Sequence, residues 1–375
     1  MIYRKLITRA DFEITRLKLL KFCQYSRPPS TELAPSHHYK NITRLTEQYR
    51  ITDREKIIVL TDDFRKSPGG YSALSSLASS LSLIGCKVLL CTRLDEREIE
   101  QFKPTSLLAS DTPRQLVEIK KNKTSLLNQG CKVGLSLVTY ADEPHISEDQ
   151  KFSLYKDNGV KFLWGFKTED YYERSQYVAR LRSELDIKVI SLPFGADIFN
   201  YYPIIKTRNS CKLDFIFFAS RNLDKWNVLK PLLLGLRANG LKGLINGPGW
   251  NLTKNNILKH EHMQFLCSSR NGLNVHIPMS RTAQTELNER FYNLLLSGIP
   301  QVVDDLPILA PLGFIDRVKV YKNLEQLISY LQPDKGCDRD DVDRAIDAYE
   351  FVMKNHTNVH RAHHLHTQLR SINRD

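Results

Sequence analysis

The stretch NGLNVHIPMSRTAQTELNERFYNLLLSGIPQVVDD, residues 271 to 305, decides how this chain folds. Its first eight residues read as a buried strand running out of a sheet, and residues 300 to 305 read as a second one. Between them Leu287, Phe291, Leu294 and Leu295 recur at helical spacing and form one apolar stripe. Glu286, Glu289, Arg290 and Asn293 take the opposite side. Gly298 and Pro300 stop the helix, because glycine accepts the left-handed turn that closes it and proline cannot continue the ladder. Strand, polar loop, helix and strand make one unit of a parallel sheet. A helix so placed points its first-turn amides toward the crevice beyond the strand ends, where an anion is held. Asn274 and His276 end the first strand and are expected at the same crevice, though a strand-end histidine also serves as a satisfied structural residue.

Working outward, the same alternation of strand and helix appears twice. Lys56–Asp63, Lys87–Cys91, Lys132–Thr139, Val160–Trp164 and Lys188–Leu192 read as buried strands with helices between them. Ser67–Tyr71 reads as a turn, and the helix after it closes at Gly85. A polar linker over 199–209 follows. A second run then begins with a strand at Leu213–Phe218, a helix near Trp226–Ala238, a strand at Leu241–Ile245 and a turn at Asn246–Trp250. It ends with a strand at Val318–Tyr321 and helices from Leu324 onward. Two consecutive runs predict an α/β fold of two doubly wound domains facing across a cleft. We set the first at residues 51–203 and the second at 204–345, with an extension over 1–50 and a final helical segment over 346–375.

A chain of 375 residues suits two such domains, and 41% apolar with 26% charged residues is a globular composition. No apolar run reaches the roughly 20 residues of a membrane helix, and the N-terminus lacks a signal-peptide core. Seven scattered cysteines without a Cys-x-x-Cys pair point to a reducing compartment and a cytoplasmic protein. The formal charge is +12, and residues 1–50 hold half of the excess, with ten Lys/Arg against four acids. Such a surface favours anionic partners: nucleotide diphosphates, acidic glycans, an anionic membrane face or nucleic acid. Residues 12–22 fit either a helix lying on a membrane surface or an extra helix packed on the first domain. His360 and His364 have the spacing of a metal pair, but no third ligand accompanies them, so no metal site is expected.

The order of these motifs resembles GT-B glycosyltransferases of the group-one type, and within them the CgeB-like, spore-maturation branch. The positions that carry the resemblance are Leu273, Asn274, His276, Asn288, Arg290, Phe291, Gly298, Asp304 and Asp305. Pro68, Gly69 and Gly70 look like the glycine loop of the group-one acceptor domain. The 192–199 stretch resembles the segment joining the two domains, and residues 246–250 the Gly-x-Gly-Trp turn. Val352–Leu365 resembles the C-terminal helix, which in this fold crosses back onto the first domain. One position departs: Asn293 stands where the family's glutamate holds the nucleotide ribose.

The resemblance implies a metal-independent transferase that moves a sugar from a nucleotide-diphosphate donor to a glycan, lipid-linked or other acceptor, with no resident cofactor. It places Gly70, Arg221 and Lys225 around the donor, the last two gripping its diphosphate as a bidentate guanidinium and a point charge. Arg290 is a further phosphate candidate. Glu289 is a candidate for a donor-sugar hydroxyl, and Asn293, Asn274 and His276 complete the donor set. Asp62 and Asp63 stand where inverting enzymes hold their base; Asp142 and His145 stand where retaining relatives place polar cleft residues. Strand-end acids also serve as turn formers or helix caps. Rival readings are a nucleotide-sugar epimerase, a DNA-base glycosyltransferase and a degenerate binding module of the same fold.

Overall fold

The computed structural model describes residues 4–7, 35–52, 55–62, 68–137, 147–203, 211–219, 223–247, 262–266, 268–276, 285–332 and 339–374. The chain forms two compact units. The first takes in Leu45–Pro193 and Asn358–Asp375, the second Phe194–Thr357. Helix α1 (Pro35–Gln48) carries the chain from one to the other, since its residues through Arg44 belong to the second unit and those from Leu45 to the first, which also takes in Met1–Glu13.

The first unit holds a seven-stranded sheet of β1 (Arg4–Ile7), β2 (Lys56–Leu60), β3 (Lys87–Cys91), β4 (Ser106–Ser110), β5 (Lys132–Ser136), β6 (Val160–Gly165) and β7 (Lys188–Ser191). Their order is β1-β3-β2-β4-β5-β6-β7. All pairs are parallel except β1 with β3. Ile57, Ile58, Val59 and Leu60 are buried without alternation, as a strand covered on both faces requires. The sequence pattern missed β4. Ser-Leu-Leu-Ala-Ser carries no β-branched residue, and it is a strand because β2 and β5 pair with it on either side. It also missed β1, an antiparallel edge inside the N-terminal extension.

Helix α2 (Pro68–Ile84) begins at the proline, so Pro68, Gly69 and Gly70 form its first turn rather than a separate loop. Proline suits that position because its fixed φ is helical and its missing N–H has no partner to lose. Gly85, at φ +123°, ends the helix as expected. Against α2 lies the last helix. The region expected as one helix over 352–365 is two, here α5 (Arg339–Asn355) and α6 (Asn358–Arg374). The break falls at His356 and Thr357, where Ala196 N–H donates to the His356 carbonyl and Thr357 bridges to Ala196. His356 therefore does not share a helical face with His360, His363 and His364. The α6 helix returns to the first unit: Asn358 Nδ2 donates to Ser76 Oγ at 2.7 Å and Arg361 Nε to the Pro193 carbonyl at 2.9 Å. No helix among the described residues is long and apolar enough to cross a membrane. The expected helix over 12–22 lies outside the described residues.

The second unit holds a five-stranded parallel sheet of β8 (Leu213–Phe218), β9 (Gly243–Asn246), β10 (Ser269–Asn274), β11 (Gln301–Asp304) and β12 (Lys319–Tyr321), in the order β12-β11-β10-β8-β9. Helix α3 (Leu223–Ala238) follows β8, and α4 (Glu289–Leu296) joins β10 to β11. Gly298, at φ +67°, closes that crossover as expected. The expected polar stripe of α4 is not a solvated face. Phe291 to Leu296 are all buried, Asn293 included, and Glu286 precedes the helix. Aromatic rings explain this: Phe291 meets Phe314 at 4.9 Å between centroids, and Phe314 meets Phe351 of α5 at 5.2 Å. The site-bearing helix is thus clamped from behind.

A buried histidine ties α1 into this unit. His38 accepts the Tyr349 hydroxyl proton on Nδ1 at 3.0 Å and donates from Nε2 to the Ile198 carbonyl at 3.1 Å. Burial pushes its pKa from 6.5 to about 4, against a smaller rise from the Ile198 bond and a further lowering by His37. Because the folded state refuses a proton that the unfolded chain accepts, stability is expected to fall as pH drops from 6.5 through 4. One such proton contributes a slope of up to about 1.4 kcal/mol per pH unit. Denaturant titrations at several pH values should show that slope reduced in His38→Gln; an unchanged slope would assign it to another group.

Candidate functional site

In α/β sheets the edge formed by the carboxyl ends of parallel strands is where ligands bind. In the second unit that edge brings together Phe218 of β8, Asn274 to His276 at the end of β10, and Asp304 of β11. Carbonyls at strand ends have no further strand to pair with and need other donors. Arg290, in the first turn of α4, supplies them. Its Nη1 donates to the Phe218 carbonyl at 2.8 Å, its Nη2 to the Val275 carbonyl at 3.0 Å, and Nε and Nη2 both reach Asn274 Oδ1, at 2.9 and 2.6 Å. The guanidinium also lies over the Phe217 ring, 4.4 Å from its centroid. Four of its five N–H donors are used in this way, leaving one on Nη1 without a partner among the described residues. Burial pushes its pKa down to about 10, with Asp304 the chief opposing influence.

Asn288 sets the helix start. Its Oδ1 caps α4 by accepting from Phe291 N–H at 2.9 Å, and its Nδ2 donates to Asn274 Oδ1 at 3.1 Å. The Asn-x-Arg motif therefore has a local explanation: asparagine caps the helix, and arginine two residues later crosslinks it to β8 and β10. Sequence reasoning named Arg290 and Asn274 but gave Asn288 no role, although an asparagine immediately before an acidic–apolar helical run is a capping signal.

The second cation is Lys225, half-buried in the first turn of α3. A lysine there opposes the helix dipole, whose positive end is at the N-terminus. Burial, and then repulsion by Arg290, pushes its pKa from 10.5 down to about 8. Two elements that follow different strands thus bring cations close enough to repel one another. The neighbouring acid, Asp224, is exposed. An anion bound beside both would favour their charged forms.

Other expected residues have other surroundings. Asn293, at the ribose position of the resemblance, accepts from the Asp197 N–H on Oδ1 at 2.8 Å and donates from Nδ2 to Glu289 Oε1 at 3.4 Å. Asp197 in turn accepts from Phe199 N–H and from Asn200, so Asn293 anchors the 194–200 segment. His276 is paired with Asp304: its Nδ1 lies 2.8 Å from Asp304 Oδ1, and its backbone N–H reaches both carboxylate oxygens at 3.2 and 3.1 Å. Asp304 was legible as a motif position, but nothing in the pattern assigned it a partner. In the first unit Asp62 follows β2 and lies 3.7 Å from Arg114 Nη1, while Arg114 Nη2 donates to the Thr92 carbonyl at 3.2 Å. Gly70 sits in the first turn of α2. Arg221, Asp63, Asp142 and His145 lie outside the described residues.

Comparison with known proteins follows the same division. Residues 225–367 match the glycosyl transferase-like family. The match begins at Lys225 and runs through β9 to β12 and both α4 and α5. Among solved structures, the T4 phage β-glucosyltransferase is similar at 12% identity and a TM-score of 0.55, over 84% of this chain and 99% of its own. Its complex with its UDP-glucose substrate gives 0.54. Sucrose-phosphate synthase from Thermosynechococcus elongatus is similar at 10% identity and 0.50, over 85% of this chain and 99% of its own. This chain spans 60% of the matched chain of the GtfA/B complex, at a TM-score of 0.40. No curated protein matches in sequence. The likeness to the T4 phage β-glucosyltransferase establishes the fold: two parallel-sheet α/β units of the GT-B glycosyltransferase kind.

Proposed function

We propose that this chain is a glycosyltransferase, of the CgeB-like branch, whose second unit holds a nucleotide-diphosphate sugar and whose first unit supplies the acceptor side. The observation that carries this reading is the placement of Lys225 in the first turn of α3 and Arg290 in the first turn of α4, whose guanidinium is fixed on the strand-end carbonyls at the carboxyl-end edge of a parallel sheet. As the glycosidic bond of such a donor breaks, negative charge builds on the departing diphosphate. Cations already fixed beside it stabilise that charge without reorganising. In this reading they take the part that a divalent ion plays in other transferases. The +12 charge supports an anionic acceptor or an anionic membrane face as its surroundings. Asp62 is the candidate base for the acceptor hydroxyl, with Arg114 Nη1 3.7 Å away.

A thermal-shift series with UDP, GDP and ADP and their sugars tests this directly. A nucleotide present at about 100 times its Kd adds about 2.7 kcal/mol to the stability of the folded state. A raised Tm with at least one of them is expected. No shift with any would overturn the reading in favour of a binding or scaffold module, and donor turnover without acceptor would favour an epimerase.

A further inference from the structure

We propose that Asp304 and His276 form a hydroxyl-accepting element that reads the sugar of the donor; this rests on the donor reading above. The carboxylate of Asp304 offers only lone pairs, so the His276 nitrogen facing it, Nδ1, carries the ring proton of the neutral imidazole. The backbone N–H of His276 donates to the same carboxylate and fixes the ring's position. In that neutral tautomer Nε2 keeps a bare lone pair. It is buried and has no hydrogen-bond partner among the described residues. Side chains this deeply enclosed, 2% exposed for His276 and 5% for Asp304, are ordinarily satisfied, because an unmatched polar atom away from water is costly.

The chemistry of the orphan atom selects its ligand. An unprotonated nitrogen needs a donor. Phosphate oxygens of an ionised diphosphate have none to give, whereas every free hydroxyl of a sugar does. The position agrees. His276 directly follows Asn274 and Val275, two of the residues that Arg290 grips, and Asp304 is the chief influence favouring the Arg290 charge. The hydroxyl acceptor therefore adjoins the cationic site on one strand-end edge, as sugar adjoins diphosphate in a nucleotide sugar. His276 is in this account a specificity residue, and Asp304 is the positioning residue that sets its tautomer.

The test compares UDP with UDP-glucose, and GDP with GDP-mannose, by calorimetry on the full chain and on His276→Phe and His276→Gln. Phenylalanine removes the acceptor, and glutamine can present an oxygen at similar reach. We expect His276→Phe to weaken binding of the nucleotide sugar about tenfold while the nucleotide diphosphate changes less than about twofold, with His276→Gln recovering part of the loss. Equal loss for both ligands, or none, would overturn the proposal while leaving the donor reading intact. Binding of no nucleotide by the wild type would overturn both. If His276→Phe does not fold, NMR of isotope-labelled histidine in the wild type decides. The Nδ1-protonated tautomer, with an Nε2 resonance moved by the nucleotide sugar and not by the diphosphate alone, is the expected result. The opposite tautomer, or equal responses to both ligands, would end the proposal.

Discussion

Arg290→Lys is expected to lower both the Tm and the transfer rate sharply, although the charge is conserved. A lysine ammonium is a single point with three donors. It cannot reach the Phe218 carbonyl, the Val275 carbonyl and Asn274 Oδ1 at once, as the planar guanidinium does. At least two buried strand-end acceptors would lose their partner. Hydrogen bonds to a charged donor contribute about 1.5–3 kcal/mol each, so a loss of about 3 kcal/mol or more is expected. In a unit of this size that is a fall of about 6–12 °C in Tm. The rate should fall further than the fraction unfolded explains, by about 100-fold, because α4 and the ends of β8 and β10 lose the crosslink that orients the cationic site. Calorimetry and steady-state rates on the same preparation separate the two effects. A variant with wild-type Tm would remove Arg290 from the structural role assigned to it.

What the sequence made legible follows from this division of labour. Residues 213–218, 271–276 and 301–304 are short buried runs bounded by turn signals; the first and last fall where the sheet has β8 and β11, while β10 starts two residues before Asn271 and ends at Asn274. Gly85 and Gly298 mark helix ends through backbone geometry that any reader of φ preferences expects. Pattern fails where neighbours decide. Ser106–Ser110 is a strand only because two others flank it, and the α5–α6 break exists because Ala196, far away in sequence, takes the His356 carbonyl. Within the site, Arg290 was visible as a charge near a phosphate, but its main work on strand-end carbonyls was not. Side-chain pairing across 28 residues, as between His276 and Asp304, leaves no periodic trace at all. Asn293 shows the reverse case. Its place in the motif suggested a ligand contact, and its acceptor is engaged by the Asp197 amide.

Lys225→Met should have the opposite signature to Arg290→Lys: weaker binding with no loss of stability. Methionine keeps the apolar stem but removes a cation that burial, Arg290 and the α3 dipole all oppose, so at pH 7 the Tm should stay level or rise. Affinity for a nucleotide diphosphate should fall about 10- to 150-fold, the equivalent of one charge-assisted bond of about 1.5–3 kcal/mol. The pH dependence gives a second handle. In the protein without ligand this lysine, with its pKa lowered to about 8, is losing its proton at that pH, and a bound diphosphate restores the ammonium. Binding near pH 8 should therefore take up a proton, and affinity should decline as pH rises above 8. Stability runs the other way. The unfolded lysine holds its proton up to its ordinary value of 10.5, so the unfolded state binds more protons between pH 8 and 10.5, and the folded state gains stability as pH rises through that window. Calorimetric titration in two buffers of different ionisation enthalpy reads the proton uptake directly. Uptake that persists in Lys225→Met, or affinity that is the same in both proteins, would remove this lysine from the diphosphate site.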